Sequence, residues 1–203
     1  MKKRYATSLI LMFVLAAAGC TKPVGTGSSG DADQSKSPVA EQLTQTVQGA
    51  LNFADVNQST FPVPYTEDPV GVGGPTWRGI LTPFLGGRPG FPGIAALVDP
   101  EGVFTPSEES RDPKAGNSIA QCQDGTSNTI VFVELADPKS ERSCITEEEF
   151  FDQLQNCPAD KPGYYVAMMS AQVFLLDKSV TREQLHALVT MKGGDKVPTE
   201  VLK

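Results

Sequence analysis

Proline sets the first limit on this fold. Ten of the sixteen prolines in the 203-residue chain lie between residues 60 and 117. Each removes a backbone donor and clashes with a helical turn, so no long helix fits there. Mixed with glycine, that stretch reads as short strands joined by irregular loops. Two apolar islands stand inside it, TWRGILTPFL at 76–85 and FPGIAALVD at 91–99. Both are expected as strands. Pro83 holds the first to a sheet end or edge, because proline cannot donate to a ladder.

Regular structure gathers on either side. Behind Ser37 and Pro38, the apolar residues Leu43, Val47, Leu51 and Ala54 recur every three or four positions. They predict an amphipathic helix over about 38–55, with proline in its first turn. IVFVEL (130–135), β-branched and aromatic, follows the turn signal DGTSN (124–128) and reads as a strand. Thr146 and Glu149 have capping-box spacing, which opens a short helix over 147–156 before Pro158. YYVAMM (164–169) and QVFLLD (172–177) form a hairpin around Ser170 and Ala171. Thr181 with Gln184 caps a last helix carrying Leu185, Leu188 and Val189, ended by Gly193 and Gly194. The order of elements defines an α+β domain.

The N-terminus carries a different pattern. Lys2, Lys3 and Arg4 precede a ten-residue apolar stretch, Leu9 to Ala18. Spanning a bilayer takes about 20 residues, so this stretch is too short. Ala17, Ala18 and Gly19 are small, as signal cleavage requires, and Cys20 follows directly. The arrangement resembles a bacterial lipobox, with Ala17 where Leu is usual. An ordinary secretory signal cut nearby is the alternative. Residues 1–19 are therefore read as a lipoprotein-type signal, with Cys20 as the lipidation site. Residues 20–37 are small and polar and read as a flexible tether, and 38–203 as the globular domain.

Removing residues 1–19 leaves 14 basic against 24 acidic residues, a net charge of −10. Nucleic acid is excluded as a partner, since its phosphates need a basic face. Binding an anionic membrane through surface charge is excluded likewise. The expected partners are the membrane, through lipid on Cys20, and other proteins of the cell envelope, facing the periplasm or exterior.

Four segments in fixed order carry a resemblance. They are ALNFADVNQSTFPVP (50–64), TWRGILTPFL (76–85), DGTSNTIVFVE (124–134), and VFLLDKSV (173–180) with LHALVTMKGGDKV (185–197). Together they resemble the large planctomycete family of pseudopilin-like domains of unknown function, over about 38–197. DGTSNT is the most specific motif. The resemblance implies a type II secretion pseudopilin-like fold, an N-terminal helix lying across a small antiparallel sheet, and no established activity. Typical members begin with a prepilin cleavage site and a long apolar helix. This chain has the lipobox-like signal and tether instead, so filament formation through that helix is not expected. Many members also place a His ten residues before an Asp-Gly pair. Here Asp177 matches the Asp, but Lys178 replaces the Gly and Ala167 stands at the His position. That residue's role is not carried over.

The candidate chemistry is sparse. Asp124, Asn128 and Glu134 are the candidate metal ligands, oxygen donors in and after one turn. Calcium takes roughly six to eight oxygens, several from one loop. Only Asp124, Thr126 and Asn128 alternate suitably, and ordinary Asp-Gly turn chemistry accounts for them. His186 is the only histidine. A nucleophilic triad needs a serine beside it, and neither Ser127 nor Ser170 sits in G-x-S-x-G. Zinc is not expected with one His and no Cys-x-x-Cys. Glu147, Glu148 and Glu149 complement a helix N-terminus more simply than they make a glycosidase pair. Trp77 and Arg78 read as core or rim residues rather than a stacking platform. Gly86, Gly87 and Gly90 precede no basic helix, so they form no phosphate cradle. No catalytic residue, cofactor or metal is expected. A calcium- or glycan-binding surface module is the alternative to a structural or protein-interaction role.

Three thiols remain, Cys122, Cys144 and Cys157. Cys144–Cys157 is the preferred disulfide, contributing about 3 kcal/mol for a loop of that size. The intervening helix would rise about 15 Å if regular. A bridge brings Cα atoms within about 7 Å, so the flanks would have to fold back.

Overall fold

A computed structural model of the chain describes residues 37–62, 76–88, 90–104, 117–193 and 199–203. All belong to one compact unit, 32–203. The expected signal, Cys20 and nearly all of the tether lie outside the described residues.

Helix α1 runs Pro38–Val56 with Pro38 in its first turn, and Leu43, Val47, Ala50, Phe53 and Ala54 form its buried stripe. Ser37 occupies the N-cap position, but its side chain makes no capping bond. Buried Thr46 satisfies its hydroxyl by donating to the Gln42 carbonyl at 2.8 Å.

The first apolar island is not a strand. Trp77–Leu81 is a short helix, α2, with Trp77, Arg78 and Leu81 buried, and Thr82–Leu85 continues it as a 3-10 turn. Periodicity cannot separate a buried strand from a buried helical turn over so few residues. Pro83 fits because it sits in the first turn of the 3-10 segment, where no N–H is needed. The second island is the strand β1, Ile94–Val98, with all five residues buried.

The remaining strands are β2 (Ile130–Glu134), β3 (Cys144–Thr146), β4 (Gly163–Met168) and β5 (Val173–Asp177). They form one five-stranded sheet in the order β3-β1-β2-β4-β5. The β1–β2, β2–β4 and β4–β5 pairs are antiparallel, whereas β3 runs parallel to β1. The expected antiparallel sheet is therefore mixed. β3 escaped the sequence reading because three residues carry no periodicity. As expected, β2 is central and buried on both faces. A register shift between Ile130 and Phe132 turns Val131 and Phe132 to the same core.

Helices α3 (Glu147–Gln155) and α4 (Arg182–Val189) both open with complete capping boxes, Thr146 with Glu149 and Thr181 with Gln184. The sheet is covered on both faces. Leu43, Val47, Phe53 and Trp77 pack with Ala96 and Phe132 on one side. Phe150, Leu154, Leu185 and Leu188 pack with Leu97 and Val166 on the other.

α4 ends earlier than the glycines implied. Thr190 is already extended and bridges to Gly102, and buried Met191 donates its N–H to the Glu101 carbonyl at 3.0 Å. Tertiary bonding to the 99–102 turn stops the helix before Gly193 can. The free edge of β5 is covered by the C-terminal residues, Leu175 and Lys203 exchanging backbone hydrogen bonds at 2.9 and 3.0 Å.

Candidate functional site

Parallel pairing of β1 with β3 sets Val98 opposite Thr146. Both chains leave the sheet at that point. The next residue of one is Asp99, and the next of the other is Glu147, the first residue of α3. Asp99 opens a tight turn in which its Oδ1 accepts from the Glu101 N–H at 2.7 Å and its carbonyl from the Gly102 N–H at 3.1 Å. His186, in the last turn of α4, completes the group, its Nδ1 2.9 Å from Glu147 Oε2. One ligand atom from each of Asp99, Glu147 and His186 can be chosen so that all lie within 4.8 Å of one another.

The electrostatics follow from this crowding. The Glu147 side chain is only 13% exposed, and burial raises its carboxyl above the usual range despite the opposing hydrogen bond from His186. The Asp99 carboxylate, within hydrogen-bonding reach, pushes in the same direction as burial. His186 is raised, mainly through its hydrogen bond to Glu147, with Asp99 and Glu101 adding to the effect. A cavity of about 510 Å³ opens beside the cluster, lined by Val98, Asp99, Ile145, Glu147, Arg142 and Arg182 among others. The two arginines are partly engaged: Arg142 pairs with Glu149 at 2.6 Å, and Arg182 lies 3.7 Å from Glu148.

The metal-ligand candidates Asp124, Asn128 and Glu134 are not brought together. Asn128 donates from Nδ2 to the Asp124 carbonyl at 2.7 Å, and Asp124 Oδ2 accepts from the Gly193 N–H at 2.9 Å. Glu134 lies at the far end of β2, a strand of about 13 Å. There its two oxygens accept from Lys161 Nζ at 2.8 Å and the Tyr165 N–H at 2.9 Å. The trio is thus no shared ligand set. Ser127 is exposed in its turn, and Ser170 Oγ pairs with Gln172 Oε1 at 3.2 Å, so neither serine is a partner of His186. Trp77 is fully buried against Phe132, with ring centroids 4.8 Å apart, and has no face for a sugar.

The expected Cys144–Cys157 bridge is absent, both residues being thiols. They flank α3 at its two ends, and its nine residues rise about 14 Å, twice the reach of a disulfide. Cys157 Sγ donates instead to the Lys161 carbonyl at 3.5 Å, and Cys122 Sγ lies 3.2 Å from Thr129 Oγ1.

Glu147 and His186 were visible in the sequence only as a helix-start acid and a helix-surface imidazole. Asp99 carried no signal beyond closing an apolar run. Each lies on a separate element, so no spacing rule joins them.

No protein-family model, curated protein or solved structure matches the chain. Among the described residues, no helix is long and apolar enough to cross a membrane.

Proposed function

We propose that the protein is a lipid-anchored component of the bacterial cell envelope with a non-catalytic structural or protein-interaction role. The observation that carries this reading is the Ala17-Ala18-Gly19-Cys20 run behind a short apolar stretch and a basic start. The polar residues 20–37 then act as a spacer between anchor and domain. The globular unit is read as pseudopilin-like, with α1 as the helix that lies across the sheet. The reading includes no Ser–His or Cys–His nucleophile, because the only imidazole is hydrogen-bonded to the Glu147 carboxylate. The acidic balance of the mature chain suits a soluble domain held off a membrane.

Expression in a bacterial host tests the anchor. The mature protein is expected to partition into detergent and to carry diacylglycerol and acyl chains on Cys20 by intact mass. Cys20→Ser is expected to accumulate as uncleaved precursor or to be released in soluble form. A cleaved wild-type protein whose Cys20 is unmodified would end the lipoprotein reading.

A further inference from the structure

We infer that Asp99, Glu147 and His186 form a three-ligand site for a divalent transition-metal ion of the zinc class, open to the adjoining cleft. This goes beyond the envelope reading and does not rest on it. The donor set is the first argument. One imidazole nitrogen with two carboxylate oxygens suits zinc, manganese or ferrous iron, and imidazole is not a calcium ligand. Two carboxylates and a neutral imidazole also carry the charge that a divalent cation neutralises.

Distances make the second argument. His186 Nδ1 and Glu147 Oε2 lie 2.9 Å apart. Tetrahedral ligands at about 2.0–2.1 Å from one ion lie roughly 3.4 Å apart, so this pair is close enough to share an ion after a slight opening. The outer limit of 4.8 Å across the three donors exceeds the roughly 3.4 Å between tetrahedral ligands of one zinc ion. Ion binding would require the Asp99 carboxylate or the half-exposed His186 side chain to turn inward to close the difference. Three protein ligands leave further positions to water or a ligand, as open metal sites do, and the cleft supplies the space.

A third observation lies alongside. Thr190 is 1% exposed, and its hydroxyl has no hydrogen-bond partner among the described residues. It follows His186 by one helical turn and bridges to Gly102, in the turn that Asp99 opens. That bridge places the end of α4 beside the turn that carries Asp99. Ion binding would then tie the ends of β1 and α4 to the start of α3.

The test uses the full chain in detergent, titrated with zinc by calorimetry and with cobalt by visible absorption. Losing even a residue that only orients a metal ligand costs about tenfold or more in affinity. Stoichiometric zinc binding that weakens by at least that factor in both Glu147→Gln and His186→Gln supports the site. The cobalt spectrum should lack thiolate charge-transfer absorption, which separates this cluster from the cysteines, and excess calcium should not compete. If either variant fails to fold by circular dichroism, Asp99→Asn takes its place under the same criterion. No stoichiometric zinc uptake by the wild type, or uptake unchanged in the folded variants, overturns the inference.

Discussion

Arg78 Nη2 donates to the main-chain carbonyl of Arg142 at 3.1 Å, joining residues 64 apart in sequence. The same guanidinium donates to the carbonyls of Phe91 and Ile94, and Trp77 Nε1 to that of Ser143. Helix α2 is thereby pinned to the strand β1 and to the segment entering β3. Arg78 is 6% exposed, so the cation is held by backbone dipoles. Burial lowers its pKa, opposed by Glu141.

Arg78→Ala is therefore expected to leave several carbonyls unsatisfied and to cost about 3 kcal/mol or more, at about 1–3 kcal/mol for each buried group. Arg78→Lys should recover only part of this, since one ammonium lacks the planar fork. Urea midpoints at unchanged slope measure the loss. A midpoint for Arg78→Ala within error of wild type would dismiss the pinning role.

Two glycines should fail for different reasons. A Cβ on Gly163 would sit 1.8 Å from the Leu176 carbonyl oxygen across the β4–β5 ladder. Gly125 meets nothing nearer than Asn128 Nδ2 at 3.6 Å, but its φ is +90°. Gly163→Ala is expected to cost about 1–3 kcal/mol or more by steric conflict, and Gly125→Val about 1–3 kcal/mol by backbone strain. Gly125→Asn should be milder than Gly125→Val, because asparagine tolerates positive φ, whereas no residue with a Cβ relieves Gly163. Thermal melts of the three variants separate the mechanisms.

What was legible in the sequence was local. The capping boxes at Thr146 and Thr181 are written in three-residue spacings, and both formed as read. The central place of β2 followed from apolar residues on both its faces. The helix at Trp77 was not legible, because its buried Arg78 and Trp77 are satisfied by carbonyls far along the chain. Thr190 ends α4 by bridging to Gly102, which outweighed the Gly193 stop signal. The Asp99–Glu147–His186 cluster depends on the parallel register of β1 with β3, a pairing invisible in the three residues of β3.

Two carboxylates should govern acid stability. Glu149, hydrogen-bonded by Arg142, and Asp177, hydrogen-bonded by Lys203, are each lowered to about 2. A depressed carboxyl contributes stability above its unfolded value, 4.5 or 3.8 here, and loses it as pH falls toward 2. Both ion pairs are partly exposed, so the effect is small and salt-sensitive. Asp177→Asn and Glu149→Gln should flatten the decline in melting temperature over that window. An unchanged acid slope in the double variant would refute the assignment.

His186 should act in the opposite direction. Its raised pKa gives stability that is complete below 6.5 and lost as pH rises through the folded value. Glu147 is also raised, so its contribution falls with rising pH from 4.5 upward. Glu147, Asp99 and Glu101 are the carboxylates that influence the imidazole. Metal-free protein is expected to soften with rising pH through the imidazole range, and His186→Gln to lose that dependence. A wild-type stability flat across this range would contradict the raised imidazole.

The turn at Asp124 is expected to serve folding rather than calcium. The Asp124 carbonyl takes the Asn128 amide, the Asn128 N–H returns to the Gly125 carbonyl at 3.0 Å, and Asp124 Oδ2 receives the Gly193 N–H. The turn thereby holds both the entry to β2 and the segment that follows α4. Glu134 is committed to Lys161 and Tyr165 at the other end of the strand. Asp124→Ala should cost about 1 kcal/mol, the net worth of a typical hydrogen bond, by the same amount with and without millimolar calcium. Asp124→Asn keeps an acceptor for Gly193 and should lose less. Thermal melts in calcium and in chelator distinguish the cases. A wild-type melting temperature that rises with calcium, and stops rising in Asp124→Ala, would move the turn from scaffold to ligand site.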